Sequence, residues 1–238
     1  MPANLRRALL LLPAAILLAA LWVALSPAAW QLHGDRLLAA SPAGATPHLL
    51  PQQADLDGNG SPECLSLRQR RLSILDCAGG ETQWQSPAGW RVWQAGVGDL
   101  NRDGQPEAVL LVWRPFQPWS VDRVMPHGGR IDSHQNFWRQ SCHVILIGFG
   151  GGRWRELWAG SALARPLLAF AAADLDGDGW QELAVLETDY RLLQVPPAAG
   201  LAVWEWNGFG FDLVTRRPGV YFDLRVLQAD GSYLLETH

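Results

Sequence analysis

A nine-residue pattern, D-L-[DN]-x-[DN]-G-x-x-E, occurs three times in this 238-residue chain, and each copy runs directly into an apolar stretch. The copies span Asp55 to Glu63, Asp99 to Glu107 and Asp174 to Glu182. The stretches that follow are "CLSL", "AVLLVW" and "LAVLE". Short apolar runs bounded by Asp, Asn and Gly read as strands entered from tight turns. A unit repeated at intervals of tens of residues points to stacked copies of one small β motif.

The pattern also specifies a chemistry. Oxygen-bearing side chains at positions 1, 3 and 5 of a tight loop can point at one centre. Glycine at position 6 permits the sharp turn, and a carboxylate at position 9 closes the shell. A backbone carbonyl at position 7 would add another oxygen. No His or Cys lies within the nine positions. An all-oxygen set suits Ca²⁺ far better than zinc or copper. The EF-hand shares the first six positions but requires Glu at position 12. Here that position holds Ser66, Leu110 or Val185, and the flanks read as strand, not helix. The competing explanation is an Asx-rich turn without metal, since Asp, Asn and Gly dominate turns anyway. Three copies that each keep the closing Glu weigh against it.

These loops, with their strand context, resemble the FG-GAP/VCBS repeats, the calcium-loop repeats of integrin α-subunit-like β-propellers. The resemblance covers roughly residues 50 to 235. It implies one propeller blade per repeat, with Ca²⁺ in a loop between two strands, and is nearly silent on activity. Carried over position by position, the implied ligands of the first loop are Asp55, Asp57, Asn59 and Glu63, with the carbonyl of Ser61. Those of the second are Asp99, Asn101, Asp103 and Glu107, with the carbonyl of Gln105. Those of the third are Asp174, Asp176, Asp178 and Glu182, with the carbonyl of Trp180.

Spacing supports a blade-sized unit independently. Asp55 and Asp99 are 44 residues apart, about one four-stranded blade. Strands are expected near Cys64–Leu67, Leu72–Asp76, Thr82–Gln85 and Val92–Val97, all within that first unit. Asp99 and Asp174 are 75 residues apart. The excess is assigned to an insertion from Pro115 to about Arg139. "VLQADGSYLLE", Val226 to Glu236, reads as a fourth start with its ligands eroded to Asp230 and Gly231. The expected fold is all-β, a propeller-like array of three to four four-stranded blades over residues 51–238. Residues 31–50 read as a linker. Three and a fraction units are few for a closed ring. A small propeller completed by the segment near His48–Pro51 and the C-terminal strand, an open array, and self-association through sheet edges all stand as options.

The first 30 residues carry a separate signal. Arg6 and Arg7 precede an uncharged apolar stretch from Ala8 to Leu25. Its 18 residues and its flanking arginines suit a membrane anchor with the remainder exported, or a cleaved signal peptide. Small-residue cleavage patterns occur at "SPAAW" (Ser26 to Trp30) and "LLAAS" (Leu37 to Ser41). The expected location is the membrane with an extracytoplasmic domain, or secretion if the segment is removed. Cys64 and Cys77 flank a hairpin-like segment with its turn near Gln69 to Arg71. Both a disulfide in an oxidising compartment and two buried thiols fit this spacing.

Composition narrows the function classes. Hydrophobic content of 48% with 18% charge excludes a disordered chain. A net charge of −4, with no basic run beyond Arg68 to Arg71, gives nucleic acid little to bind. His127, Asp132, His134, Cys142 and His143 crowd around the insertion, but at spacings that match no catalytic or metal motif. Among the 13 tryptophans, Trp84, Trp158 and Trp204 read as core, and Trp113, Trp119 and Trp138 as surface candidates. The leading expectation is a calcium-stabilised binding module for a protein or glycan. The alternatives are an envelope hydrolase acting on polysaccharide or lipid, and a self-associating structural envelope protein.

Overall fold

The computed structural model describes residues 27–117, 134–192 and 195–238. Among these residues there are seventeen strands and no helix. The apolar stretch Ala8 to Leu25 lies outside the described residues, as do Trp119, His127 and Asp132.

The chain opens with β1 (Ala28–His33), β2 (Arg36–Ala40) and β3 (Thr46–His48). The first sheet follows: β4 (Gln53–Ala54), β5 (Glu63–Arg68), β6 (Arg71–Asp76) and β7 (Thr82–Gln85). The second holds β8 (Arg91–Gly98), β9 (Glu107–Pro115), β10 (Gln140–Gly150) and β11 (Arg153–Ala159). The third holds β12 (Leu167–Ala173), β13 (Glu182–Glu187), β14 (Ala198–Trp206) and β15 (Phe211–Tyr221). The last strands, β16 (Leu224–Ala229) and β17 (Ser232–Thr237), join the first three in the order β2-β1-β17-β16-β3. The four sheets form a four-bladed β-propeller arrangement. All pairings within them are antiparallel.

Residues 31–50 are therefore not a linker. Residues 28–48 supply three strands of the fourth blade, and Ala28, Ala29 and Trp30 pair with Thr237, Glu236 and Leu235. Residues 28–40 and 224–237 meet in one sheet, where β1 covers the edge that β17 would otherwise expose. "LLAAS" is mostly β2, and "SPAAW" runs into β1. The blade boundary also shifts by one strand from the sequence unit. Val92–Val97 lies in β8, which pairs with β9 in the second sheet, not with β7. Each acidic loop consequently joins the innermost strand of a blade to its second.

Alternation explains the core. In the second and third blades the second strand, β9 or β13, is buried on both faces because its sheet is sandwiched between two others. In β9, Ala108, Leu110 and Val112 join the cluster shared with the first blade, which includes Leu72 and Ile74. Val109, Leu111 and Trp113 face the third blade, against Phe170 and Leu183. Trp113 is thus a buried residue, not a surface candidate, and packs edge-on against Tyr190. Trp84, Trp158 and Trp204 pack against these clusters as core expectations required. A third cluster joins the third and fourth blades through Leu175, Leu201, Leu32, Leu37 and Leu235. The junction between the fourth and first blades has no such cluster among the described residues. The chain itself spans it: β3 pairs with β16 and leads directly toward β4.

Candidate metal centres

Each loop is built the same way from its residues upward. The Leu at position 2 is the anchor: Leu56, Leu100 and Leu175 sink into the three inter-blade clusters. The Glu at position 9 is the first residue of the blade's second strand and is fully buried: Glu63, Glu107 and Glu182 are each at most 1% exposed. Its side chain turns back to accept the N–H of the position-2 Leu, at 2.8 Å from Leu56, 3.4 Å from Leu100 and 2.8 Å from Leu175. Between these two fixed points the backbone makes left-handed steps at position 4 (Gly58, Arg102, Gly177) and position 6 (Gly60, Gly104, Gly179). Glycine takes this conformation without strain; Arg102 does not.

Side chains at positions 1, 3 and 5 brace the turn. Asp55 accepts from the N–H groups of Gly58, Asn59 and Gly60. Asp99 accepts from Asp103 and Gly104, and Asp174 from Gly177 and Gly179. Asp57, Asn101 and Asp176 each accept from the residue two further on. Asn59, Asp103 and Asp178 accept from the N–H of Ser61, Gln105 and Trp180. These are Asx-turn bonds, and each leaves further lone pairs on the same oxygens.

The result is three acidic triads: Asp55, Asp57 and Glu63; Asp99, Asp103 and Glu107; and Asp174, Asp176 and Glu182. In each, one carboxylate oxygen per residue lies within 4.8 Å of the others. Asp178 falls outside the third triad. Such clusters could hold a metal ion. They are also electrostatically costly on their own. Burial, and then the charges of Asp103 and Asp99, push the Glu107 carboxyl up to about 8. Burial, then Asp176 and Asp178, push Glu182 up to about 7 against the opposing pull of the Leu175 N–H and Arg102. Glu63 is raised as well, chiefly by burial. One atom stands out: Glu107 Oε1 is buried without any hydrogen-bond partner. A buried carboxyl group with one unpartnered oxygen, grouped with two aspartates, is what an oxygen-liganded cation would satisfy.

Neighbouring loops touch. Gln105 Nε2 donates to the carbonyl of Asp55 at 2.7 Å, so the second loop grips the first. Gln181 Oε1 accepts from the N–H of Asp99 at 3.0 Å, so the third grips the second. A side chain at Gly98 would collide with that Gln181 oxygen. A groove of about 390 Å³ opens beside the loops, lined in part by Gln53, Asp99, Gln181 and the 40% exposed Trp180. Nearer the axis, Gln94 Nε2 donates to the Phe170 carbonyl and its Oε1 accepts from the Phe170 N–H, bridging β8 and β12. The repeat pattern gives no sign of these contacts, because they depend on how blades sit side by side.

The histidine and cysteine constellation has structural employment instead. Cys142 and His143 are buried in β10. The Cys142 thiol accepts from the Leu167 N–H, and burial pushes it up to about 12. His143 donates from Nδ1 to the Gly160 carbonyl and accepts at Nε2 from Ser141. Burial, and then Arg114, hold it down at about 4. His134 lies apart, in a groove with Trp158 and Phe211. Cys64 and Cys77 form a disulfide with a Cα separation of 5.1 Å. Trp138 is exposed as expected, beside an exposed Phe137.

Compared with known proteins, the chain matches no family model and no curated sequence.

Proposed function

We propose that this chain is a calcium-binding β-propeller module of FG-GAP/VCBS type, exported and held at a membrane by its N-terminal segment, that binds a protein or glycan partner. The observation that carries the metal reading is the orphaned Glu107 oxygen, fully buried beside Asp99 and Asp103. The ligands would be the side chains of the three loops and the carbonyls of Ser61, Gln105 and Trp180. A hard, all-oxygen donor set of this kind favours Ca²⁺. Calcium would neutralise the triads and lock the loops, so that binding becomes folding stability.

The disulfide suits an oxidising compartment, in keeping with export. Strand directions suit one orientation at a membrane. Ala28 pairs with Thr237, whereas the β16–β17 turn, in register with the acidic loops, lies at the other end of that sheet. β1, which the N-terminal segment precedes, starts at the end opposite that turn, so the loops would face away from the bilayer. The groove beside Asp99 and Trp180 offers the partner an aromatic wall next to a metal, a setting for glycan hydroxyls or a peptide carboxylate.

The test is the melting temperature of the full chain in mild detergent, in excess Ca²⁺, in Mg²⁺ and in chelator. A Ca²⁺-specific rise, abolished by substituting the aspartates, is expected. Equal melting in Ca²⁺ and chelator would overturn the reading and leave the loops as Asx-braced turns.

A further inference from the structure

The three closing glutamates occupy equivalent positions but differ in their second partner. Glu63 Oε1 accepts from the Gln83 amide at 3.5 Å, beyond its bond from Leu56. Glu182 Oε1 faces Arg102 Nη2 at 3.4 Å, beyond its bond from Leu175. Glu107 Oε1 has no partner, and the bond to its other oxygen, from Leu100, is the longest of the three.

Arg102 is the second irregularity. It stands at position 4 of its loop, where the other two loops have glycine, and holds a left-handed φ of 61°. A non-glycine residue adopts that conformation only against steric strain. What the arginine contributes in return lies in the next blade. Its guanidinium reaches Glu182 of the third loop and comes within 3.8 Å of Glu205 Oε2. The link between the first two loops, by contrast, is the neutral Gln105 amide.

We infer that the loops fill unequally: the second takes the first divalent cation, and Arg102 is an internal counter-cation that holds the third to weaker uptake. This rests on the calcium reading above and says which loops the ion prefers. The second loop has the one closing carboxylate with an oxygen left without a hydrogen-bond partner. An ion in the third loop would sit beside a guanidinium already on its closing carboxylate, and like charges at that range repel. Arg102 is flanked by Asn101 and Asp103, both implied ligands of the second loop. An ion drawing these two inward fixes the backbone from which Arg102 reaches Glu182, so occupancy of one loop is felt at the other.

Calorimetric titration of the full chain with Ca²⁺ tests this. Glu107→Gln should remove the tightest phase, and Glu63→Gln and Glu182→Gln should leave it. Asp103→Ala, at an exposed position, is the second variant should Glu107→Gln fail to fold. Arg102→Gly should tighten a weaker phase at least about fivefold, and Asp176→Ala should abolish that same phase. Survival of the tightest phase in both Glu107→Gln and Asp103→Ala would overturn the inference, as would an unmoved third loop in Arg102→Gly. Three equal sites in the parent chain would overturn it while leaving the calcium reading intact. No uptake by the parent chain would overturn both.

Discussion

Three blades and the fourth make the same connection in different ways. Between innermost and second strand, the first three use nine-residue acidic loops. In the fourth, β16 lies between β3 and β17 and is joined to β17 by a two-residue turn, Asp230 and Gly231. Both residues are left-handed, as a tight hairpin requires. The short turn completes a blade without assembling any acidic triad among the described residues. Connectivity therefore does not explain the longer loops, which crowd carboxylates together and bury one of them. A feature that is dispensable for the fold and costly in isolation is best understood through a ligand. The fourth blade differs in a second respect: it is assembled from both ends of the chain, and the others from contiguous sequence.

The largest effect follows from that assembly. A chain beginning at Ser41 lacks β1 and β2, and with them the buried Ala29, Leu32 and Leu37. The edge of β17 is then left open. Loss of cooperative folding is expected, a change comparable to the whole stability of a domain, about 5–15 kcal/mol. Near-ultraviolet circular dichroism and a thermal melt would read it; a cooperative melt near that of the full chain would break the contrast between blades. The first blade should show a smaller dependence of its own. It shares one buried cluster, with the second blade, and its innermost strand is two residues long. The Cys64–Cys77 disulfide staples it. Replacing both cysteines with serine should cost about 3 kcal/mol, the value for a closed loop near this size. Denaturant unfolding checks this.

Calcium should separate the blades next. At a hundredfold excess over Kd, one filled site adds about 2.7 kcal/mol, or about 5–10 °C for a domain of this size. In chelator, pH should reveal the same loops with the opposite sign. The Glu107 carboxyl sits at about 8 in the folded protein, against an ordinary 4.5. The fold thus favours its protonated form. That contribution is fully present below 4.5 and is lost as pH rises through about 8. Glu182 acts in the same sense up to about 7. Glu107→Gln, permanently neutral, should stabilise the chelated protein at pH 8 relative to pH 5, where Glu107 is itself protonated in the folded state. It should also flatten the slope of melting temperature against pH. Unchanged stability in chelator would mean that Glu107 carries no such burden.

The loops were legible because their chemistry is local. Alternating oxygens, glycines and a closing Glu lie within nine residues, and the strands after them announce themselves by apolar runs. The hairpin bounded by Cys64 and Cys77 was legible for the same reason, and its turn carries left-handed Gln69 and Arg70. β1 to β3 were not. The partners of β1 and β3, β17 and β16, lie nearly two hundred residues away, and all three strands are short with weak alternation. The phase of the blades was hidden because β4 is too brief to show as a strand, which made β8 look like the end of the first unit. Arg102 read as an unremarkable variable position. Only the placement of the third blade beside the second brings its guanidinium onto Glu182.

The smallest effect tests the comparison from the side of the fourth blade. Asp230 has a φ of 46°, and its carboxylate joins no triad. Asp230→Gly relieves the backbone and should change stability by less than about 1 kcal/mol. Asp230→Ala should cost a similar amount through strain alone. In both variants the difference in melting temperature between Ca²⁺ and chelator should equal that of the parent chain, because a two-residue turn has no shell to lose. A reduced difference would place the fourth blade among the metal-dependent ones. The two kinds of connection would then be variants of one site, and the argument from dispensability would fail with them.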